Sequence, residues 1–254
     1  MIIILIIFAF VLIAFSLRFT WWLPTKKGLV ALMYHNIEYT DGKDAFCISP
    51  KIFKNQLEII LNKGFTPVNF DEMAEAVLNG APLPKKPIVI TFDDGYLNNW
   101  TKAFPILKEK NIKANIFLTC DFIGVKEDYL TWQQVLEMQN SGLISFGSHS
   151  LTHRRLRDLT LEDAEREIKE SKIMLEEKLN RPVYSFCYPY GAGAFDKRIR
   201  PLVLKAGYLF DFSTKKGINK LPLSKNKPIL RAFPRGGETA FDFHLQLTRG
   251  RSKL

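Results

Sequence analysis

The sequence predicts an α/β fold: one parallel sheet, closed into a barrel or doubly wound, preceded by an apolar N-terminal helix. Three observations carry this. Short β-rich apolar runs alternate with amphipathic stretches, the pattern of βα units joined by short loops. The chain has 254 residues, and about 250 is the usual size of an α/β barrel held by one core. The first 17 residues, MIIILIIFAFVLIAFSL, carry no charge.

The N-terminal run is followed by Arg18, then Phe19, Trp21, Trp22 and Pro24, then Lys26 and Lys27. As a helix it would extend about 26 Å, close to the ~30 Å hydrocarbon core once Arg18 snorkels and the Trp pair sits at the interface. A cleavable signal would want a basic region before the apolar stretch and a small-x-small site after it. Neither is present. The expectation is an uncleaved single-pass anchor over residues 1–24 and a catalytic domain over 25–254. Lys26 and Lys27 favour a cytoplasmic domain by the positive-inside rule.

In the body, LVALMY (29–34) is the first strand candidate. Ser49-Pro50 opens a helix as cap and first-turn proline, with Phe53, Leu57, Ile60 and Leu61 on one face. Asp71 starts a short helix, and PIVITF (87–92) is a near-continuous apolar strand. A helix to about Lys110 precedes the strand ANIFLT (114–119). Thr131 caps a helix that stops at Gly142, and LISFGS (143–148) follows as a strand. Thr160 with Asp163 resembles a capping box for a long helix to about Leu179. YSFCY (184–188), a helix near 196–206, YLFDF (208–212) and PILRAF (228–233) complete the order, with one long polar loop over 214–228.

Composition narrows the class. Apolar residues make up 46% and charged residues 24%, which excludes a disordered chain and a disulfide-stapled miniprotein. Cys47, Cys120 and Cys187 form no CxxC pair and read as buried small hydrophobes. Lys and Arg number 36 against 26 Asp and Glu, a net charge of +10. Residues 181–254 hold 15 of the cations and only 4 carboxylates. That imbalance suggests an anionic partner: a lipid surface, an acidic polymer or nucleic acid.

Three motifs fall at strand ends. The first is TFDDGY (91–96), where Asp93 and Asp94 follow a buried strand. Two adjacent carboxylates there are costly unless they bind a cation or are hydrogen-bonded. Gly95 lets both turn inward. The bland alternative is an Asp-Asp-Gly turn capping a helix. The second motif is SHSLTH (148–153), which places His149 and His153 at i, i+4. On one helical face, that spacing lets two imidazoles share a metal ion, and two His with one Asp leave open positions on zinc. The third is FCYPYG (186–191), a turn that presents backbone N–H groups and rings.

In this order and approximate spacing, TFDDGY, SHSLTH and CYPYG resemble the polysaccharide deacetylases, the carbohydrate esterases with a NodB homology domain. The likeness covers roughly residues 29–235. LMYHNI (32–37) and SPKIFKNQLEIILNKGFTPV look like the branch that includes poly-N-acetylglucosamine deacetylases. The resemblance implies a distorted (β/α) barrel of the NodB type with its site at the C-terminal strand ends. It implies a divalent metal ion, zinc first, on Asp94, His149 and His153. Asp93 matches the catalytic base, His35 the general acid, and Tyr190 the position whose backbone N–H holds the oxyanion. Tyr188, Pro189, Gly191 and Arg231 are the candidate substrate-binding positions. The family's third motif commonly begins with an Arg that braces the base, but here the position is Cys187, and Arg231 is the candidate to supply the guanidinium.

The function these readings imply is metal-dependent hydrolytic N-deacetylation of an N-acetylhexosamine polysaccharide at the cell envelope. The protein would be a single-pass cytoplasmic-membrane protein with an extracytoplasmic catalytic domain. One alternative is a deacylase of a lipid-linked sugar at the cytoplasmic face. Another is a non-catalytic glycan-binding module, which the intact Asp93, Asp94, His149 and His153 argue against. A nucleic-acid role explains the charge but neither the anchor nor the motifs, so no nucleic-acid partner is expected. The sequence assigns no oligomeric state.

Overall fold

The computed structural model describes residues 2–39 and 44–253. Helix α1 (Ile2–Arg18) leads into strand β1 (Val30–Tyr34) and the short pair β2 (Asn36–Ile37) and β3 (Cys47–Ile48). Helix α2 (Pro50–Asn62), β4 (Thr66–Pro67), α3 (Phe70–Leu78) and β5 (Pro87–Phe92) follow. Next come α4 (Phe104–Glu109), β6 (Ala114–Leu118), α5 (Trp132–Asn140), β7 (Ile144–Ser148) and α6 (Leu161–Leu179). The chain ends with β8 (Ser185–Cys187), α7 (Arg200–Lys205), β9 (Phe210–Phe212) and α8 (Ala240–Arg249).

Every pairing in the main sheet is parallel, in the order β1-β5-β6-β7-β8-β9, with β4 beside the start of β5. The segment 228–233 brings the two ends together. Ile229 bridges Phe212 of β9 and Ala232 bridges Leu32 of β1, both in parallel. PILRAF was expected as a full strand, but its contacts are single bridges. Its residues turn between two partners rather than run along one, so the ring is closed loosely.

The alternation along the strands sorts two cores. Val30, Leu32, Ile88, Ile90 and Ile116 face outward to the helices, in one cluster with Phe53, Leu57, Val135 and Ile168. Ala31, Val89, Phe117, Cys187 and Phe212 face inward, with Phe70 and Met73 of α3 in the same cluster. Asn115 ties α3 to this interior: its Oδ1 accepts from the N–H of Phe70 at 2.7 Å, and its Nδ2 donates to Val68 and Ile90 carbonyls. Gly147 is inward on β7, where a Cβ would lie 2.7 Å from the Phe117 ring and 2.8 Å from the Ser185 carbonyl. Only glycine lets the two sides approach so closely.

The helix starts follow local chemistry. The Ser49 side chain accepts from Ile52 N–H ahead of Pro50, and Thr131 and Thr160 cap α5 and α6. Each such cap contributes about 1 kcal/mol. Two details differ from expectation. Asn69, with Glu72 in a reciprocal box, caps α3 rather than Asp71. Leu61 lies on the exposed side of α2.

The N-terminal segment is a correction. Among the described residues, no helix is long and apolar enough to cross a membrane. Helix α1 has 17 residues, fewer than the about 20 that a spanning helix usually needs. It stops at Arg18 because the chain then pairs with the C-terminus: Phe19 bridges Lys253, and Thr20 N–H donates to Ser252 O at 3.0 Å. Phe15 and Phe19 also pack on Phe241 of α8. The expected 1–24 anchor is thus a shorter apolar helix whose base is fixed to the body.

Candidate active site

Four strand ends converge at the C-terminal rim of the sheet. Counting in steps of two along the inward faces, His35 follows Met33, Asp93 follows Thr91, His149 follows Gly147, and Cys187 follows Ser185. Strand alternation carries these side chains to one point beyond the interior core. Asp93, His149 and Cys187 offer ligand-type atoms that all lie within 4.8 Å of one another.

Asp94 is one residue out of phase and would face outward in a regular strand. Its φ of 74° turns it back, and Gly95 with φ of 84° continues the turn. A Cβ on Gly95 would lie 2.8 Å from Leu118 Cδ2 and 2.9 Å from Ile123 Cδ1. Among the described residues, six non-glycine residues have positive φ, and four of them, Asp94, Ser150, His153 and Tyr190, lie in the site loops. Such strain persists only where surrounding contacts over-determine it, and it concentrates at functional sites.

Asp94, His149 and His153 come together as the motif implied, but His149 and His153 are not on a helix. They lie in the loop after β7, and left-handed turns at Ser150 and His153 set their spacing. The Ser150 hydroxyl accepts from His153 N–H at 3.0 Å. Glu167 of α6, itself buried, accepts from the N–H groups of Leu151 (3.0 Å) and Thr152 (2.9 Å) and from the Thr152 hydroxyl. Sequence reasoning missed this clamp, since Glu167 sits in the middle of a charged helix with nothing local to mark it.

The three side chains fit a divalent cation. Asp94 Oδ1 lies 3.0 Å from His153 Nε2 and 3.4 Å from His149 Nε2. It is nevertheless buried without a hydrogen-bond partner. An unsatisfied carboxylate oxygen facing two imidazole nitrogens is what a cation site requires. His149 Nδ1 is 2.8 Å from the Cys187 carbonyl, which fixes the tautomer and leaves Nε2 as the lone pair. Burial lowers the His149 pKa to about 4, so the ring is neutral. The alternative grouping with Cys187 is poorer, because burial pushes the thiol pKa well up and keeps it protonated.

Asp93 does something else. Arg231 grips it with two hydrogen bonds, Nη1 to Oδ1 at 2.6 Å and Nη2 to Oδ2 at 2.8 Å. Arg231 also donates to Thr91 Oγ1, to the Ser213 carbonyl and, at 3.0 Å, to Cys187 Sγ. Burial by itself raises the Asp93 pKa, but the Arg231 charge, then His149, the Arg231 hydrogen bonds and His35, hold it well below the usual carboxylate range. Thus Arg231 occupies the bracing position next to Cys187. It is fully buried and does not line the cavity, so it is not a substrate-binding residue.

The other three substrate-binding candidates are corrected likewise. Tyr188 is fully buried, its hydroxyl donating to Asp211 Oδ2 at 3.0 Å. Asp211 in turn accepts two hydrogen bonds from Arg200. Pro189 is buried, and Gly191 packs so tightly that a Cβ would lie 2.1 Å from Thr214 Oγ1. These residues build the turn, and Tyr190 is the one that faces the cavity. Its ring centroid is 4.7 Å from that of His153.

His35 stands across from the triad, with Nε2 3.8 Å from Asp93 Oδ2. Phe46 and Phe233 wall it in, and burial lowers its pKa. Asn99 holds the strand end by donating to the His35 carbonyl at 2.8 Å. The cavity, about 830 Å³, is lined by these groups and by Phe46, Tyr96, Phe122, Tyr129, Lys126, Arg155, Lys216, Phe233 and Arg235. Of the latter, Tyr96 ends the TFDDGY motif and the others lie outside the motifs.

Known proteins resemble this chain in sequence and in fold. The polysaccharide deacetylase family pattern matches residues 80–210, just over half of the chain. The chain belongs to the polysaccharide deacetylase family. Its members are hydrolases acting on carbon–nitrogen bonds. A Bacillus subtilis protein named as a polysaccharide deacetylase, YxkH, is 29% identical over 198 residues, covering 77% of this chain and 68% of the relative. A Staphylococcus aureus poly-β-1,6-N-acetyl-D-glucosamine N-deacetylase is 28% identical over 216 residues, covering 74% and 72%. The crystal structure of a polysaccharide deacetylase from Bacillus cereus superposes with a TM-score of 0.75 at 29% identity, covering 87% of this chain and 69% of that one.

Proposed function

We propose that this deacetylase is a metal-dependent enzyme that hydrolyses the N-acetyl group of an N-acetylhexosamine glycan at the cell envelope. The observation that carries the reading is the division of labour between adjacent carboxylates. Asp94 faces two imidazoles with an unsatisfied oxygen, while Asp93 is held ionised by Arg231. A structural turn has no need for two carboxylates treated so differently.

A divalent cation on Asp94, His149 and His153 supplies Lewis acidity, which lowers the pKa of water and polarises a carbonyl. Zinc suits this donor set, as do neighbouring first-row metals. The chain's own groups do the proton work. Asp93 accepts a proton as water attacks the acetamide carbon. His35 delivers a proton to the departing sugar nitrogen as the C–N bond breaks, so that it leaves as an amine. The net change is one water consumed, acetate released and an amino sugar formed. Tyr190, whose ring lies beside that of His153, is the residue whose backbone N–H would hold the developing oxyanion.

Envelope location is supported by α1, whose side chains from Ile3 to Leu17 are largely exposed and apolar on all sides. Such a helix needs a lipid or protein cover. An extracytoplasmic domain suits a polysaccharide substrate. The experiment is acetate release from N-acetylated oligosaccharides, with and without a chelator. Chelator-sensitive release supports the reading, and no release from any N-acetylhexosamine oligomer in the presence of added metal overturns it.

A further inference from the structure

The cavity wall outside the catalytic centre is cationic. Lys126, Arg155, Lys216 and Arg235 line it, against one further carboxylate, Asp44. Among the described residues, none of these four cations forms an ion pair, whereas cations elsewhere on the surface, such as Lys54, Lys110 and Lys113, do. Three of them rest on aromatic rings instead. Lys126 Nζ is 3.2 Å from the Phe122 centroid, the Arg155 guanidinium 4.8 Å from Tyr190, and that of Arg235 5.4 Å from Phe233. A ring positions a cation without neutralising it.

The crowding extends beyond the cavity. Desolvation first, then Arg235, Arg251 and Lys253, lower the Lys216 pKa, with only Glu238 opposing them. Four cations against two nearby carboxylates, Asp44 and Glu238, leave an excess of like charge that a bound anion relieves. The catalytic pair contributes no compensating negative field, since Arg231 balances Asp93 and a cation on Asp94 would balance that residue.

Building on the deacetylase reading, we infer that the substrate is an anionic glycan. It carries a phosphate or carboxylate on or next to the N-acetylated sugar, which Lys216 and Arg235 bind at one side of the cavity and Lys126 and Arg155 at the other. A neutral homopolymer of N-acetylglucosamine would leave these charges unanswered.

The test compares three oligosaccharides of equal length: neutral N-acetylglucosamine, a copy bearing a phosphate, and a copy with alternating uronate. Equilibrium binding is measured on the full chain with His35→Gln, which slows turnover and leaves the Asp93–Arg231 pair balanced, and kcat/KM ratios on the wild type provide the second readout. At least one anionic oligomer is expected to bind about tenfold more tightly than the neutral one at low salt. Lys216→Gln with Arg235→Gln should bring that ratio towards one, as should higher ionic strength. Whichever oligomer responds tells phosphate from carboxylate recognition. Equal or weaker binding of both anionic oligomers overturns the inference. Binding preference without acetate release from any oligomer keeps the anion site and removes the deacetylase reading, so the two fail separately.

Discussion

Arg231 holds Asp93 through a two-pronged hydrogen bond, 2.6 and 2.8 Å, with both side chains buried. The guanidinium comes from the closing segment of the ring and the carboxylate from the end of β5, 138 residues apart in sequence. Both hydrogen bonds are charge-assisted and parallel, the arrangement that fixes a carboxylate in orientation as well as in charge.

Replacing Arg231 with Met should therefore leave an uncompensated buried carboxylate and cost about 3–5 kcal/mol of stability. Turnover should fall together with stability, because an unpaired Asp93 takes up a proton or turns away. Arg231→Lys should not restore it, since an ammonium cannot make both bonds. Thermal unfolding and acetate release measure the two effects. Unchanged turnover in Arg231→Met would show that Asp93 needs no brace.

Glu167 touches no reacting group but clamps the backbone ahead of His153. Glu167→Ala should weaken metal binding about 10- to 100-fold, the range for supports behind metal ligands. Titration with a competing chelator reads this directly. Metal affinity equal to wild type would mean that the Ser150 contact alone holds the loop.

Loss of His35 should act on the leaving group. His35→Gln should lower kcat by about 10²–10⁴ on a sugar acetamide, with KM little changed. The deficit should shrink on an acetamide of a weakly basic aromatic amine, which departs without full protonation. A deficit of the same size on both substrates would assign His35 a purely structural place.

Helix α1 gives a prediction outside the site. Ile6, Phe10 and Ile13 are 62%, 72% and 57% exposed. Changing all three to Asn should move the full chain from lipid vesicles to the soluble fraction in a flotation assay. A wild-type chain that stays in the soluble fraction would mean that lipid does not cover α1.

Much of the fold was legible because its signals are local. Ser49-Pro50, Thr131 and Thr160 mark helix starts, and VALMY, PIVITF and ANIFL are strands buried on both faces. The catalytic cluster was legible because its motifs follow strand ends, where alternation fixes direction. What escaped depends on residues distant in sequence. The His149–His153 spacing looks helical, yet left-handed turns at Ser150 and His153 produce it. Tyr188 looked like a cavity ring, but Asp211 and Arg200 draw it into the core. Helix α8 was missed although Thr239 and Asp242 form a full capping box, a signal present in the sequence. The cationic wall gathers Lys126, Arg155, Lys216 and Arg235 from separate loops, so no window of sequence contains it.

The central claim is that Asp93 and Asp94 have different tasks, and one measurement tests it most directly. Metal content and acetate release are determined side by side for wild type, Asp93→Asn and His149→Ala. The expected result is metal retained and release abolished in Asp93→Asn, with both lost in His149→Ala. Retained release in Asp93→Asn, or full metal content with activity in His149→Ala, would contradict the account.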